Sequence, residues 1–157
     1  MNTPIVDFSE FSFDNVIADQ AKVYEVNPHR FELALLDGIL YHEGDRIVGF
    51  YNVPDEPFWA RGHFPGRPMM PGVLIAEVAA QLTSYLATVV GIRDDGMIGL
   101  AGLEKIRFRS PVAPGEQITV MALKIKSRVG AMVVTAFQAF VGERLAAEGQ
   151  LKGVAIK

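Results

Sequence analysis

The sequence has no cysteine and no excess of basic residues. Of its 157 residues, 15 are lysine or arginine and 18 are aspartate or glutamate, so the formal net charge is −3. A chain without cysteine forms neither disulfides nor thiolate metal sites, and it suits a reducing compartment such as the cytoplasm. A chain without a basic excess has no general means of neutralising nucleic-acid phosphates, so we expect no nucleic-acid partner.

The chain also has few signs of a membrane or export segment. Its first 16 residues are acidic and aromatic, and they lack the basic start and the apolar run of a signal peptide. An apolar run spans residues 68–92, in which Glu77 is the only charged residue. Two prolines interrupt its first part, and Gln81, Thr83 and Ser84 are polar. We therefore expect a buried helix of a soluble cytoplasmic protein rather than a membrane span.

Apolar periodicity and turn residues predict one long buried helix and about six strands, most of them paired in hairpins. The predicted helices cover residues 13–22 and 72–90, and the predicted strands cover residues 31–41, 46–53, 97–109, 117–127, 131–141 and 144–156. One domain of residues 1–157 accounts for this order, with residues 1–25 as an N-terminal extension that carries the short helix. An antiparallel sheet wrapped around the long helix is the economical α+β arrangement, and a barrel without a central helix is the alternative.

The segment at residues 62–81, GHFPGRPMMPGVLIAEVAAQ, combines groups that are able to form an acid/base site. Three prolines stiffen the loop that carries His63. Gly72 stands where the helix should begin, and the free N–H groups there can stabilise a developing oxyanion. Glu77 is a lone acid in apolar surroundings, and Gln81 follows one turn later on the same face, where it can orient Glu77. Either His63 or Glu77 alone could be structural, whereas the combination indicates proton transfer.

This segment resembles the signature of the hot-dog-fold 3-hydroxyacyl-acyl-carrier-protein dehydratases of fatty-acid synthesis. The matching positions are His-Phe-Pro at 63–65, Pro68, Pro-Gly-Val-Leu at 71–74, Glu77 and Ala-Gln at 80–81. Three flanking segments are also similar to this family, namely Asn-Pro-His-Arg at 27–30, the strand segment at 101–108 and Pro-Val-Ala-Pro-Gly-Glu at 111–116. The resemblance extends from about residue 26 to the C-terminus.

The resemblance implies a hot-dog fold and an enzyme that converts (3R)-hydroxyacyl chains on acyl carrier protein to trans-2-enoyl chains. It implies that His63 of one subunit and Glu77 of its dimer partner form the catalytic pair. The N–H of Gly72 would then hold the thioester carbonyl. In this mechanism Glu77 must carry a proton, which the uncharged sequence around it favours.

The resemblance also assigns substrate contacts to Phe64, Val73 and Gln81. It implies no cofactor and no metal. The implied partners are acyl carrier protein and a second copy of the chain, with further assembly into a trimer of dimers left open. The related dehydratase-isomerases carry aspartate at the position of Glu77, so the plain dehydratases are the better match.

Several positions depart from the family pattern, and two other functions remain open. Gly38 replaces an arginine, Gly99 replaces an aromatic residue that borders the acyl tunnel, and residues 31–33 differ from the usual Tyr-Pro-Phe. We expect these departures to affect the acyl-chain length that the enzyme prefers, and they leave the catalytic pair unchanged. The alternatives are a hot-dog thioesterase and a non-catalytic acyl-binding subunit. His29 and His42 fall in predicted turns or loops and form no metal motif.

A basic segment follows the long helix. Lys105, Arg107 and Arg109 alternate with Ile106 and Phe108, so a regular strand would place the three cations on one face. Such a face is either a solvated side of the sheet or a docking surface for an acidic carrier protein.

Overall fold

The computed structural model describes residues 3–93 and 96–157. Its two α-helices are α1 (Gln20–Val26) and α2 (Gly72–Val89), and two short 3-10 turns lie at Phe8–Glu10 and Phe31–Leu33. The strands are β1 (Gly38–Glu43), β2 (Arg46–Asn52), β3 (Met97–Phe108), β4 (Gln117–Arg128), β5 (Met132–Val141) and β6 (Arg144–Ile156). They form one antiparallel sheet in the order β1-β2-β4-β5-β6-β3. The predicted α+β arrangement, a hot-dog fold with one sheet around one long helix, is confirmed.

Helix α2 is the centre of the hydrophobic core. Its residues Val78, Leu82 and Leu86 are fully buried, and they belong to the same cluster as Ile118 and Phe137 of the sheet. The helix is long and apolar enough to cross a membrane, but 61% of it is buried inside the protein. Helices of this length and apolarity occur both in membranes and in the cores of folded proteins. Because most of α2 is buried inside the protein, we interpret it as a core helix.

The elements at the N-terminal side differ from the prediction. The helix predicted at 13–22 is wrong, because α1 begins only after Asp19, whose side chain accepts the N–H of Lys22 at 3.0 Å as an N-cap. The preceding residues lie along the edge of β1 instead, where Ala18 and Ile39 form an isolated bridge. The strand predicted from residue 31 begins only at Gly38, because residues 31–33 form a 3-10 turn. The remaining strands and α2 agree with the prediction to within two residues.

A bulge in β3 interrupts the regular alternation of its side chains. Glu104 pairs with Gln150 and Arg107 pairs with Glu148, so β3 uses one residue more than β6 over this interval. Lys105 lies in the bulge with a left-handed φ of 54°. The strict alternation that would place Lys105 on one face with Arg107 and Arg109 is therefore wrong, since the extra residue changes the side to which the chain points.

The N-terminal extension covers the outer face of the sheet. Val6 is 0% exposed and packs in a cluster with Val48, Met121 and Phe140. The side chain of Gln138 fixes the backbone of this extension, because its Oε1 accepts the N–H of Ile5 at 2.7 Å and its Nε2 donates to the carbonyl of residue 3 at 3.0 Å. The extension therefore buries apolar sheet surface that would otherwise face water.

The contribution of this extension can be measured with two matched valine substitutions. We expect Val6→Ala to lower the free energy of unfolding by about 2 kcal/mol, because it removes two buried methyl groups and leaves a cavity. Val16→Ala is the control, because Val16 lies in the same extension but is 41% exposed, and it should change the free energy by less than about 0.5 kcal/mol. Urea unfolding of both variants gives the comparison, and equal effects would show that the extension does not pack on the sheet.

Candidate active site

His63 is held in one orientation by the loop that precedes α2. Its Nδ1 lies 2.7 Å from the carbonyl oxygen of Met69, and the N–H of Met69 donates to the carbonyl of His63 at 2.9 Å. Because a carbonyl oxygen can only accept, Nδ1 must carry the proton when the ring is neutral. The other nitrogen, Nε2, then has a free lone pair and can act as a base. The ring of Phe64 stacks on the imidazole with a centroid distance of 3.9 Å.

The start of α2 lies beside His63 in an open cleft of about 590 Å³. Gly72 and Val73 line this cleft together with Phe108 and Arg109. The N–H groups of Gly72 and Val73 have no acceptor within the helix and lie at the positive end of the helix dipole. A Cβ at Gly72 would lie 2.8 Å from the Phe108 ring, so only glycine allows this close approach. The cleft therefore combines a base with a group of backbone donors.

Glu77 is oriented by Gln81, which lies one turn further along α2. The Nε2 of Gln81 donates to Oε1 of Glu77 at 3.0 Å, in agreement with the predicted orientation. Gln81 is 1% exposed, and its amide also binds the backbone before β1. Its Oε1 accepts the N–H groups of Leu35 and Leu36 at 3.0 and 3.1 Å, and its Nε2 donates to the carbonyl of Leu33 at 2.6 Å. These bonds occupy the whole amide, so a direct contact between Gln81 and substrate stays a prediction.

Glu77 opens onto a second and smaller cavity. This cavity of about 170 Å³ is lined by Ala80 and Ser84 of α2, by Ile98 and Leu100 of β3, and by residues of β6. In the described part of the chain, it shares no lining residue with the cleft that contains His63. Within one chain, the predicted base and the predicted acid therefore face different cavities.

His29 is a residue of this second cavity for which the sequence predicted no role. Its Nε2 lies 3.5 Å from Oε1 of Glu77. Burial lowers the pKa of His29, Glu77 opposes this effect, and Arg30 adds to it. The segment around His29 is tied to α2, because the side chain of Asn27 donates to the carbonyl of Gln81 at 2.9 Å. The similarity of residues 27–30 to the dehydratases was the only sequence signal, and it carried no role.

The remaining candidate groups lie outside these two cavities or are exposed. Arg107 is exposed, and Arg109 donates to Glu148 at 3.1 Å. His42 is exposed on β1, where its Nε2 lies 3.1 Å from the carbonyl of Gly44. Across residues 3–93 and 96–157, no three His, Asp or Glu side chains lie close enough together to hold a metal ion.

Comparisons with known proteins agree on one family. A family model described as a FabA-like domain matches residues 27–150. The chain is 45% identical over 135 residues to the 3-hydroxyacyl-[acyl-carrier-protein] dehydratase FabZ of Syntrophobacter fumaroxidans, which covers 85% of this chain and 90% of that one. It is 41% identical over 133 residues to the FabZ of Desulforamulus reducens, covering 82% of this chain and 91% of that one.

A solved structure supports the likeness in fold. The dehydratase heterocomplex ApeI:P from Xenorhabdus doucetiae aligns with a TM-score of 0.72, covering 86% of this chain and 91% of that chain. The sequence identity is 13%, so this likeness concerns the fold alone.

The structural role of Gln81 can be separated from that of Glu77 by unfolding measurements. We expect Gln81→Leu to lower the free energy of unfolding by about 2–4 kcal/mol, because it leaves two buried N–H groups and one carbonyl without partners. Glu77→Gln preserves size and lies at a cavity, so it should change the free energy by less than about 1 kcal/mol. If both variants unfold at the same urea concentration as the unmodified protein, the amide does not hold the backbone before β1.

Proposed function

Because the chain belongs to the FabA-like family, we propose that it removes water from (3R)-hydroxyacyl chains on acyl carrier protein and yields trans-2-enoyl chains. The protein is a 3-hydroxyacyl-acyl-carrier-protein dehydratase of fatty-acid synthesis, and it acts in the cytoplasm. The main support for this function is that one chain contains all three groups that the reaction needs. They are His63 with a free Nε2, the N–H donors at the start of α2, and Glu77 oriented by Gln81.

In the first part of the reaction, His63 removes a proton from the carbon next to the thioester. The Nε2 lone pair takes the proton, the C–H electron pair moves toward the carbonyl, and negative charge builds on the thioester oxygen. The N–H of Gly72 receives this charge, because the helix start offers unpaired donors and a positive dipole end. Val73 and Phe64 flank these groups and contact the substrate near the thioester.

In the second part, Glu77 makes the 3-hydroxyl able to leave. Hydroxide is a poor leaving group, so the carboxyl group donates its proton as the C–O bond breaks and water departs. The electron pair of the enolate forms the C2–C3 double bond. His63 then holds one proton more and Glu77 one proton fewer, and proton return to Glu77 completes the cycle. Alternatively, His63 handles both protons and Glu77 only positions the hydroxyl.

The catalytic pair forms between two copies of the chain. The separate cavities of His63 and Glu77 support this arrangement, because neither cavity alone holds both groups. Strand β3 supports it too, since it is an edge strand with exposed apolar side chains at Met97, Leu100 and Leu103. Pairing of two copies along β3 would bury these side chains and remove an unpaired sheet edge. The dimer has two composite sites.

Acyl carrier protein docks near the His63 cleft through basic residues. Arg109 lines this cleft, and Arg107 and Lys105 are exposed on β3, the strand that leads to it. An acidic partner is attracted to such residues even on a chain with a net negative charge.

The shared site predicts complementation between inactive variants. We expect His63→Ala and Glu77→Gln each to lower the rate by about 100-fold or more with the fold intact, because each removes one proton-transfer group. The enoyl product is followed by its ultraviolet absorbance. Mixed dimers of the two variants should regain activity, because one of their two sites holds an intact pair.

Two results would contradict this assignment. Near-normal dehydration by Glu77→Gln would remove the acid role and reopen the thioesterase and binding alternatives. A lack of any regained activity in mixed dimers, with subunit exchange shown by light scattering or mass spectrometry, would place each pair within one chain.

Carrier-protein docking predicts a substrate-dependent loss of activity. We expect Arg107→Glu and Arg109→Glu to raise the KM for carrier-protein substrates by about 10-fold, because they reverse a charge that attracts the partner. Short thioester mimics, which carry no protein, should react at nearly the unmodified rate. Arg46→Glu on β2 is the control for a charge reversal away from the cleft. Equal losses on both substrates would remove the docking role.

A further inference from the structure

A second histidine faces the predicted acid. The Nε2 of His29 and the Nε2 of Gln81 both approach Oε1 of Glu77, at 3.5 and 3.0 Å. His29 reaches this position from the segment between α1 and β1, whereas Gln81 belongs to α2 itself. Two donors from different parts of the chain therefore converge on the same carboxyl oxygen.

The surroundings favour a neutral His29 with its proton on Nε2. Among residues 3–93 and 96–157, the other ring nitrogen, Nδ1, is buried and has no hydrogen-bond partner. A protonated Nδ1 would leave a buried N–H without an acceptor, which is unfavourable. Burial lowers the pKa of His29 and acts in the same direction. In a neutral ring of this tautomer, the one N–H is on Nε2, the nitrogen that lies 3.5 Å from Oε1 of Glu77.

The charged groups near His29 do not change this conclusion. Glu77 faces it from α2, and Arg30 follows it in the chain. The guanidinium of Arg30 donates to the carbonyls of Tyr24, Asn27 and His29 itself. The residues that β3 and β6 contribute to the cavity are uncharged, namely Ile98, Leu100, Leu151 and Gly153.

We propose that His29 is a positioning residue that, together with Gln81, holds Oε1 of Glu77 as an acceptor and leaves Oε2 to transfer the proton. This proposal rests on the proposed function, because it concerns the acid of that reaction. Oε1 accepts the N–H of Gln81 and lies 3.5 Å from Nε2 of His29, so Oε2 is the oxygen that is left to carry and transfer the proton. A neutral partner also matters, because a cation at this place would favour the carboxylate form of Glu77 and oppose its action as an acid.

The test compares three substitutions of His29 with a distant histidine. His29→Leu removes the donor, His29→Gln keeps an N–H donor of similar reach, and His29→Lys adds a cation. His42→Leu is the matched control, because His42 is exposed on β1 and does not line either cavity. Each variant is assayed for kcat, KM and the pH dependence of kcat on the same hydroxyacyl substrate, and its unfolding is followed by circular dichroism.

We expect His29→Leu to lower kcat by about 10- to 100-fold with little change in KM, because a misplaced acid slows chemistry more than binding. His29→Gln should restore most of this loss. His29→Lys should restore less of this loss than His29→Gln, because it replaces a neutral N–H donor with a cation beside the carboxyl group of Glu77. In the double variant of His29→Leu and Glu77→Gln, the rate should be no lower than with Glu77→Gln alone, because both changes act through the same carboxyl group.

Other results would overturn the proposal. If His29→Leu is folded and keeps the kcat and pH profile of the His42→Leu control, His29 does not position the acid. If His29→Gln loses as much activity and stability as His29→Leu, the role of His29 is structural. These outcomes are distinct from a failure of the proposed function, which would appear as near-normal activity of Glu77→Gln itself.

Discussion

The side-chain amide of Gln81 is the contact on which the backbone before β1 and the predicted acid both depend. Its oxygen accepts two backbone N–H groups, and its nitrogen donates to the carbonyl of Leu33 and to Glu77. An amide has two donor and two acceptor positions, so every position is used. Because the group is buried, any rotation would leave polar atoms unpaired, which is energetically unfavourable. The orientation of Glu77 is thus fixed by the same bonds that join the chain before β1 to the core helix.

The junction between the proline-containing loop and α2 has a comparable role for the base. The paired bonds between His63 and Met69 fix the imidazole, and the loop ends at Pro71, directly before the helix. Gly72 permits the ring of Phe108 to lie against the first turn, so β3 and the helix start approach closely. The base and the backbone donors therefore lie within ten consecutive residues, and the bond from the N–H of Met70 to the carbonyl of Val112 at 2.8 Å ties this segment to the chain that follows β3.

The parts of the fold that the sequence predicted are those with strong local signals. Helix α2 has a continuous apolar pattern after Pro71, and the strands from residue 97 onward are separated by glycine-containing turns. The errors lie where tertiary contacts decide. The bridge of Ala18 to the β1 edge keeps the residues before Asp19 out of the first helix, and the β3 bulge at Lys105 depends on pairing with β6. Neither feature has a local pattern that distinguishes it.

The sequence predicted those residues of the candidate site that lie close together along the chain, and it did not predict the one that lies far from them. His63, Glu77 and Gln81 lie within 19 consecutive residues, so helix periodicity and loop chemistry were enough to select them. His29 lies 48 residues before Glu77, and the two meet only because the segment after α1 crosses the helix. Its partner-free Nδ1 and its burial are likewise properties of the packed structure. A contact between residues so far apart leaves no periodic trace in one sequence.

The uncovered face of α2 connects assembly with catalysis. Val73 and Glu77 lie one turn apart on the same side of the helix, and Ala80 continues this side. Val73 belongs to the His63 cleft, whereas Glu77 and Ala80 line the second cavity. One strip of the helix, exposed at Val73 and half-buried at Glu77 and Ala80, therefore connects the two cavities. In the proposed dimer, a partner that covers this strip buries apolar surface and brings its own His63 toward Glu77. Because one surface serves both purposes, a substitution that weakens association would also separate the acid from the base, and activity would fall with the dimer population.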